Sequence, residues 1–311
     1  MSKKAFIFPG QGSQYAGMGK DLADNFKPAA HVFAEADDAL GFKLSKLCFE
    51  GPEEELKLTA NTQPAILTVS IAALQVLREE TSLTADFFAG HSLGEYSALV
   101  AAGAMRFADA VRTVRARGTF MQEAVPVGVG SMAAILGVEA DVLAEICAEA
   151  AQGEVVSPAN FNSPGQIVVA GHSGAVNRAI EIAKARGFRK AMLLPVSAPF
   201  HSSLMEPAGV RLARVLESVE ISPLQAPVVS NVEAKPNSDA KRVKELLVKQ
   251  VSAPVRWDAS VQEMAACGVT SFVEIGPGKV LAGLVKRIDK TAETRNIQDM
   301  DGLKALVQEG L

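Results

Sequence analysis

The feature that most constrains this chain is the segment 86–96, which reads Asp-Phe-Phe-Ala-Gly-His-Ser-Leu-Gly-Glu-Tyr. It combines a short apolar strand, a Gly-x-Ser-x-Gly turn and the start of a helix, the pattern of a nucleophile elbow. Glycine suits positions 90 and 94 because a Cβ there would collide with the neighbouring strand and helix. The free N–H groups at the helix start favour negative charge beside Ser92. Ser92 is therefore a candidate nucleophile, although the pentapeptide alone is equally typical of a plain strand-to-helix turn.

Strands alternate with helical patterns along the 311 residues, which indicates an α/β fold with a mainly parallel sheet. A buried strand at 4–8 ends in a glycine-containing loop at 9–14, whose spacing fits neither common phosphate-binding motif. A long apolar helix is expected at 65–79, with Pro64 at an early helical position. A second helix at about 108–123 carries three arginines, Arg112, Arg115 and Arg117.

The rhythm of the chain changes after the break at 126–130. Between this break and residue 196 the order of the patterns is β-α-β-β-α-β, which is that of a ferredoxin-like unit. We therefore predict a small subdomain at 128–197, inserted into a larger subdomain formed by residues 1–127 and 198–311.

Composition excludes several classes of function. The formal net charge is −4, which does not point to a nucleic-acid partner. The three cysteines are an odd number and lack a Cys-x-x-Cys pair, which argues against a disulfide framework and a zinc site and for a reducing compartment. No segment has the pattern of a signal peptide or a membrane helix. We expect a cytoplasmic protein with no membrane partner and no metal site.

A serine nucleophile needs a general base, usually histidine, and the chain has four candidates. His31 falls on a charged helix face, His91 adjoins the serine and points elsewhere, and His172 follows a strand of the insertion. His201 remains, where the chain re-enters the large subdomain and would line the cleft between the two units. The group that orients this base stays open, because Asp258, Glu274 and a backbone carbonyl are all possible.

Seven short segments in this order resemble those of the malonyl-CoA:acyl carrier protein transacylases, in the acyltransferase family of fatty acid and polyketide synthesis. They are Phe-Pro-Gly-Gln-Gly-Ser-Gln at 8–14, Thr-Gln-Pro-Ala at 62–65, Gly-His-Ser-Leu-Gly-Glu-Tyr at 90–96, Arg-Ala-Arg-Gly at 115–118, Asn-Ser-Pro-Gly-Gln at 162–166, Pro-Phe-His at 199–201 and Glu-Ile-Gly-Pro-Gly at 274–278. The resemblance spans almost the whole chain and implies an α/β-hydrolase-like large subdomain with an inserted ferredoxin-like small one.

The resemblance also implies a role for individual residues. Ser92 would be the nucleophile and His201 the base. The backbone N–H groups of Gln11 and Leu93 would form the oxyanion hole, and the main-chain carbonyl of Gln250 would orient the base in place of an acid.

Two further assignments concern the acyl group. Arg117 would bind the free carboxylate of a malonyl group through its guanidinium fork. Phe200 has the form seen in malonyl-preferring members, where its bulk would disfavour a branched acyl chain.

The expected activity is transfer of malonyl from malonyl-CoA to the phosphopantetheine thiol of acyl carrier protein, with no metal or redox cofactor. A serine esterase or thioesterase would use the same Ser-His pair with water as acceptor. A third reading is a carrier-binding or scaffold domain with a vestigial site, in which basic clusters meet an acidic partner. The presence of Ser92, His201 and Arg117 together argues against it.

Overall fold

The structure is a computed structural model that describes residues 2–196 and 198–308. Its strands, in chain order, are β1 (Lys3–Phe8), β2 (Phe87–Gly90), β3 (Gly130–Leu136), β4 (Val156–Ser163), β5 (Gln166–His172), β6 (Ala191–Leu193), β7 (Val228–Val229), β8 (Pro236–Asn237), β9 (Val255–Arg256), β10 (Val269–Ile275) and β11 (Glu293–Ile297). Its α-helices are α1 (Lys20–Asn25), α2 (Lys27–Leu40), α3 (Leu44–Glu50), α4 (Glu53–Leu56), α5 (Thr59–Glu80), α6 (Gly94–Ala101), α7 (Phe107–Glu123), α8 (Ala140–Ala151), α9 (Ser173–Ala185), α10 (Glu206–Glu217), α11 (Ala240–Gln250), α12 (Trp257–Ala266), α13 (Val280–Ile288) and α14 (Met300–Gln308).

The larger sheet has the strand order β11-β10-β1-β2-β7-β8. Every neighbouring pair in it is parallel except β7 with β8. β1 lies in the middle, and its residues 5–8 are buried, as expected for a strand covered by helices on both faces. This confirms the predicted α/β fold with a mainly parallel sheet.

The helix α5 is the central helix of the core. By length and hydropathy alone it could cross a membrane, but 83% of its most apolar 18-residue window is buried inside the protein. It begins at Thr59, a turn and a half earlier than the sequence suggested, so Pro64 lies inside the helix rather than at its start. Proline is tolerated there because it removes only one hydrogen bond near the end of a helix that packing holds in place.

The second sheet has the strand order β6-β3-β5-β4-β9, and α8 and α9 pack on it around a separate hydrophobic core. Its first four strands have the ferredoxin-like order that the sequence predicts. The fifth strand, β9, is not expected from the sequence: it lies in the segment predicted to belong to the large subdomain and pairs in parallel with β4. The boundaries at 128 and 197 stay a prediction, and Ser197 itself lies outside the described residues.

The two sheets position the site between them. In the larger sheet β1, β2 and β7 run parallel, so the loops that follow them meet at one edge. These loops carry Gln11, Ser92 and Asn231 in turn. Ligands of open α/β sheets bind at this carboxyl edge, and here the small sheet closes the other side of the cleft.

Candidate active site

Ser92 sits at the tip of a strained turn between β2 and α6. Its backbone has φ 51°, a left-handed conformation that is uncommon for a residue with a side chain. The next turn of helix forms at once, with the amides of Gly94 and Glu95 donating to the carbonyls of His91 and Ser92. This geometry projects the Ser92 hydroxyl away from the sheet into the cleft, as a nucleophile elbow requires.

The two elbow glycines allow an unusually close approach of backbone to backbone. A Cβ on Gly90 would lie 2.0 Å from the carbonyl of Gly94, and a Cβ on Gly94 would lie 2.1 Å from the Phe8 carbonyl oxygen. Neither neighbour is a flexible side-chain end that could move aside.

Replacement of Gly94 by alanine should therefore lower the free energy of unfolding by about 3 kcal/mol, because β1 and the elbow must separate. The matched control is Gly283→Ala in α13, where the new Cβ meets nothing within 4 Å. It should stabilise the helix by about 0.5–1 kcal/mol. Denaturant unfolding of both variants checks this, and a Gly94→Ala protein as stable as the parent would contradict it.

Ser92 and His201 form a hydrogen-bonded pair. The Ser92 Oγ lies 2.7 Å from His201 Nε2, although the two residues are 109 positions apart. The backbone of His201 is also in the left-handed region, with φ 60°, and the residue is only 3% exposed. The strained loop before α10 thus holds the imidazole over the elbow in a fixed orientation.

The opposite nitrogen of the imidazole faces main-chain carbonyls. His201 Nδ1 donates to the carbonyl oxygen of Gln250 at 2.8 Å, and the Ala253 carbonyl lies at 3.2 Å. The two carboxylates considered from sequence have other partners: Glu274 accepts from the amides of Leu281 and Ala282 at the start of α13, and Asp258 accepts from its neighbouring amide. A proton on Nδ1 leaves Nε2 free to accept the serine proton.

The electrostatic setting keeps the imidazole neutral. Burial lowers the pKa of His201 to about 3, the positive charge of Arg117 acts in the same direction, and the hydrogen bond to Gln250 opposes both. A histidine that is uncharged at neutral pH is in the state that a general base needs.

Gln11 and Leu93, whose amides are expected to form an oxyanion hole, line the same cavity as Ser92 and His201. Leu93 is the N-cap of α6, and Gln11 lies in the loop after β1, which packs closely on the elbow through Gly10. Within residues 2–196 and 198–308, neither amide donates to a backbone carbonyl. The Ser92 amide differs, since it donates to the Asn231 side chain at 2.7 Å. The Leu93 amide at the helix start and the Gln11 amide in the adjoining loop are thus available to a developing oxyanion.

Arg117 lies in α7, is 1% exposed, and points at the Ser92 hydroxyl. Its Nη2 is 3.2 Å from Ser92 Oγ and 3.0 Å from Gln250 Oε1, and its Nη1 is 2.7 Å from Gln63 Oε1. These partners are a hydroxyl and two neutral amides, and in the described part of the chain no carboxylate lies within salt-bridge distance. The guanidinium therefore lies beside the serine without a direct ion pair, and the buried Glu95 carboxyl acts on its charge only through the intervening Gln250 side chain.

The three arginines of α7 that could bind an acyl carboxylate have different surroundings in the structure. Arg112 pairs with Asp109 at the surface, and Arg115 stacks over Phe42 and donates to Asn61 beside a different cavity. Only Arg117 among the three lines the cavity of Ser92 and His201.

The remaining histidines have other surroundings. His31 lies on the exposed side of α2, and His172 precedes α9 and accepts from the Val155 amide through Nδ1. His91 Nε2 lies 2.8 Å from Asn162 Oδ1 and so links the elbow to β4 of the small sheet. In the described residues no group of three or more His, Cys, Asp or Glu side chains is arranged to hold a metal ion.

Sequence reasoning missed the buried polar groups behind the serine. These are the carboxylate of Glu95, the side chain of Asn231 and the side-chain amides of Gln63 and Gln250, each at most 3% exposed. One signal was available: Glu95 is the only charged residue of α6, the helix directly after the elbow. The amides carry no comparable signal, because isolated Asn and Gln residues are common on surfaces.

Comparison with known proteins agrees with this geometry. The family model of the acyl transferase domain matches residues 5–303. The chain is 51% identical over 309 residues to the malonyl CoA-acyl carrier protein transacylase of Bacillus subtilis, covering 99% of this chain and 97% of the relative. It is 49% identical to the enzyme of the same name from Escherichia coli K12, covering 99% and 100%.

Solved structures give the same result. An acyl carrier protein S-malonyltransferase from Vibrio cholerae superposes with a TM-score of 0.96 at 48% identity, covering 98% of this chain and 100% of the other. A malonyl-transacylase in complex with a type II PKS acyl-carrier protein superposes with a TM-score of 0.97 at 47% identity, covering 99% and 100%. The chain, with its Ser-His pair and buried arginine in one cleft, therefore belongs to the acyl transferase domain family.

Proposed function

We infer that this protein transfers a malonyl group from malonyl-CoA to the phosphopantetheine thiol of an acyl carrier protein, through an ester on Ser92. The observation that carries this proposal is the buried Arg117 guanidinium, 3.2 Å from the Ser92 hydroxyl and without a carboxylate partner in the described residues. A cation in this place suits an acyl group that carries its own carboxylate. The names of the full-length relatives support the same substrate and acceptor.

In the first half-reaction His201 Nε2 takes the proton of Ser92 as the Oγ attacks the malonyl thioester carbon. The amides of Gln11 and Leu93 would hold the oxyanion that forms on the thioester oxygen. When the carbon–sulfur bond breaks, the coenzyme A thiolate leaves and is protonated by His201. The Gln250 carbonyl holds the imidazole in place through Nδ1 in both proton transfers.

The second half-reaction runs the same groups in the other direction. His201 takes the proton of the phosphopantetheine thiol, the thiolate attacks the malonyl ester, and Ser92 leaves with the proton returned to its Oγ. One acyl-enzyme therefore separates two exchanges, and ping-pong kinetics are expected. In this proposal every step is assigned to groups of the chain, with no metal or redox cofactor.

Two finer points belong to the proposal. Phe200, Met121 and Met132 line the cavity of Ser92, which supports selection against a branched acyl chain at the malonyl carbon. A cytoplasmic location is supported by Cys48, Cys147 and Cys267, which are all free thiols, as is usual in a reducing compartment.

A hydrolase would use the same pair, so the test compares acceptors. After brief incubation with malonyl-CoA alone, we expect intact-mass and peptide analysis to find one malonyl group on Ser92. The label should persist for minutes and leave within seconds of adding phosphopantetheine-bearing carrier protein. Carrier protein that lacks the phosphopantetheine arm is the control and should leave the label in place. Prompt release of free malonate without carrier would favour the hydrolase instead.

A further inference from the structure

The carboxylate of Glu95 is buried directly behind the nucleophile and forms no salt bridge among the described residues. The side chain is 3% exposed, although it is the second residue of a helix that begins at the elbow. Its Oε2 accepts two hydrogen bonds, from the Asn231 amide at 2.9 Å and from Gln250 Nε2 at 2.8 Å. Burial raises the pKa of Glu95 to about 7, while both hydrogen bonds and the charge of Arg117 oppose that rise. Burying a carboxyl group costs free energy unless its hydrogen bonds offset the loss of water, so these two contacts must stabilise it.

The first contact leads to the nucleophile. Asn231 is fully buried in the loop after β7, and its backbone is held by Glu95. Its side chain spans the elbow, donating to the Gly90 carbonyl at 2.7 Å and accepting from the Ser92 amide at 2.7 Å. Asn231 thereby fixes the backbone on both sides of the strained turn.

The second contact leads to the arginine. Gln250 Nε2 donates to Glu95 and to the Ser92 carbonyl, so the amino end of this side chain faces the elbow. The oxygen end must then face Arg117, where Oε1 accepts from Nη2 at 3.0 Å. A reversed amide would set N–H groups against the guanidinium, because both groups are donors only. Three acceptors thus hold the amino end of Gln250 away from the arginine: Glu95 at 2.8 Å, the Ser92 carbonyl at 3.0 Å and Asn231 Oδ1 at 3.3 Å. Glu95 gives the shortest of these contacts and is the only carboxyl group among them.

We propose that Glu95 is a positioning residue whose acceptor oxygen orients the Gln250 amide and, through it, the Arg117 fork that receives the substrate carboxylate. The proposal rests on the malonyl-transfer function inferred above. Glu95 touches neither substrate nor the reacting atoms in this arrangement. An acyl group without a carboxylate makes no use of the Arg117 fork. Loss of this orientation should therefore lower the rate of Ser92 acylation far more with malonyl-CoA than with acetyl-CoA.

The test compares two replacements that have about the same length. Glu95→Gln retains an oxygen that can accept from Gln250 Nε2 and from the Asn231 amide, whereas Glu95→Met retains none. The rates of acyl-serine formation are measured with malonyl-CoA and with acetyl-CoA on the full-length protein. We expect Glu95→Met to lower the malonyl-to-acetyl ratio at least ~10-fold, the order of one charge-assisted hydrogen bond. Glu95→Gln should keep the ratio within about threefold of the parent.

A merely structural role would lower both acyl rates together and leave their ratio unchanged. An unchanged ratio in folded Glu95→Met, or an equal fall of the ratio in both variants, would overturn the proposal. If Glu95→Met fails to fold, the same ratio is measured on Gln250→Met, which tests the proposal in its place. This variant keeps the main-chain carbonyl that holds His201 and removes only the side-chain amide, so it should show the same fall in ratio. An unchanged ratio there would also overturn the proposal.

The measurement separates this proposal from the inferred function. Acyl-serine formation needs no carrier protein. If the unmodified protein becomes acylated on Ser92 but then hydrolyses the ester, the transferase proposal fails while the proposal for Glu95 can still be tested. If the unmodified protein is acylated at the same rate by malonyl-CoA and acetyl-CoA, Arg117 does not select the carboxylate. These two rates are therefore compared first.

Discussion

Replacing Ser92 by alanine should lower malonyl transfer at least about 10⁴-fold and abolish the acyl-enzyme, because the exchange has no covalent intermediate without the Oγ. The substitution removes one atom and leaves His201, Arg117 and the elbow backbone in place. Alanine should tolerate the φ of 51° about as well as serine does, so the fold is expected to survive. Steady-state transfer and intact-mass analysis after malonyl-CoA treatment check both parts.

Ser97→Ala is the matched control for that loss. Ser97 lies in the same helix, is fully buried, and its Oγ has no hydrogen-bond partner within the described residues. Removing this hydroxyl should leave transfer within about twofold of the parent, because no hydrogen bond is lost. His201→Ala should match Ser92→Ala within about tenfold, since the two groups act as a unit. A Ser92→Ala protein that still becomes malonylated would place the nucleophile elsewhere.

The elbow could be predicted from sequence because its constraints are local. The close contacts of Gly90 and Gly94 involve residues a few positions away or on the adjacent strand, and they leave a fixed pattern of small residues. His201 could be reached because the chain offers few histidines to eliminate. The amides predicted for the oxyanion hole and the Gln250 carbonyl are backbone groups, which any residue type supplies. Chemistry alone could therefore suggest such groups, but only the family resemblance indicated which residues carry them.

The network around Glu95 could not be predicted in the same way. Its hydrogen bonds join residues 136 and 155 positions apart, and no periodicity encodes such pairings.

Two strands of the fold could not be predicted from sequence for the same reason. The edge strand β11 is mostly polar and lacks an alternating pattern, and β9 has only two residues, so each is defined by the strand it pairs with. Such elements depend on tertiary contacts rather than on intrinsic propensity.

The second large effect concerns the choice of acyl group. Arg117→Ala should lower malonyl transfer about 10²–10³-fold and acetyl transfer less than about tenfold, because a buried bidentate contact to a carboxylate is lost in one case only. The alanine also leaves a cavity and two unpaired amide oxygens, on Gln63 and Gln250. Arg117→Met fills most of that space without a charge. Equal malonyl losses in the two variants would therefore assign the effect to the guanidinium rather than to packing.

Arg112→Ala provides the control on the same helix. Arg112 pairs at the surface with Asp109, and its side chain is 51% exposed, so its removal should change neither acyl rate by more than about twofold. Both rates are measured as single-turnover acylation of Ser92, which isolates the step in which the arginine meets the carboxylate. If Arg117→Ala slowed malonyl and acetyl acylation by the same factor, the guanidinium would be supporting the Ser-His pair. The selectivity for a carboxylate-bearing acyl group would then have to come from another part of the cavity.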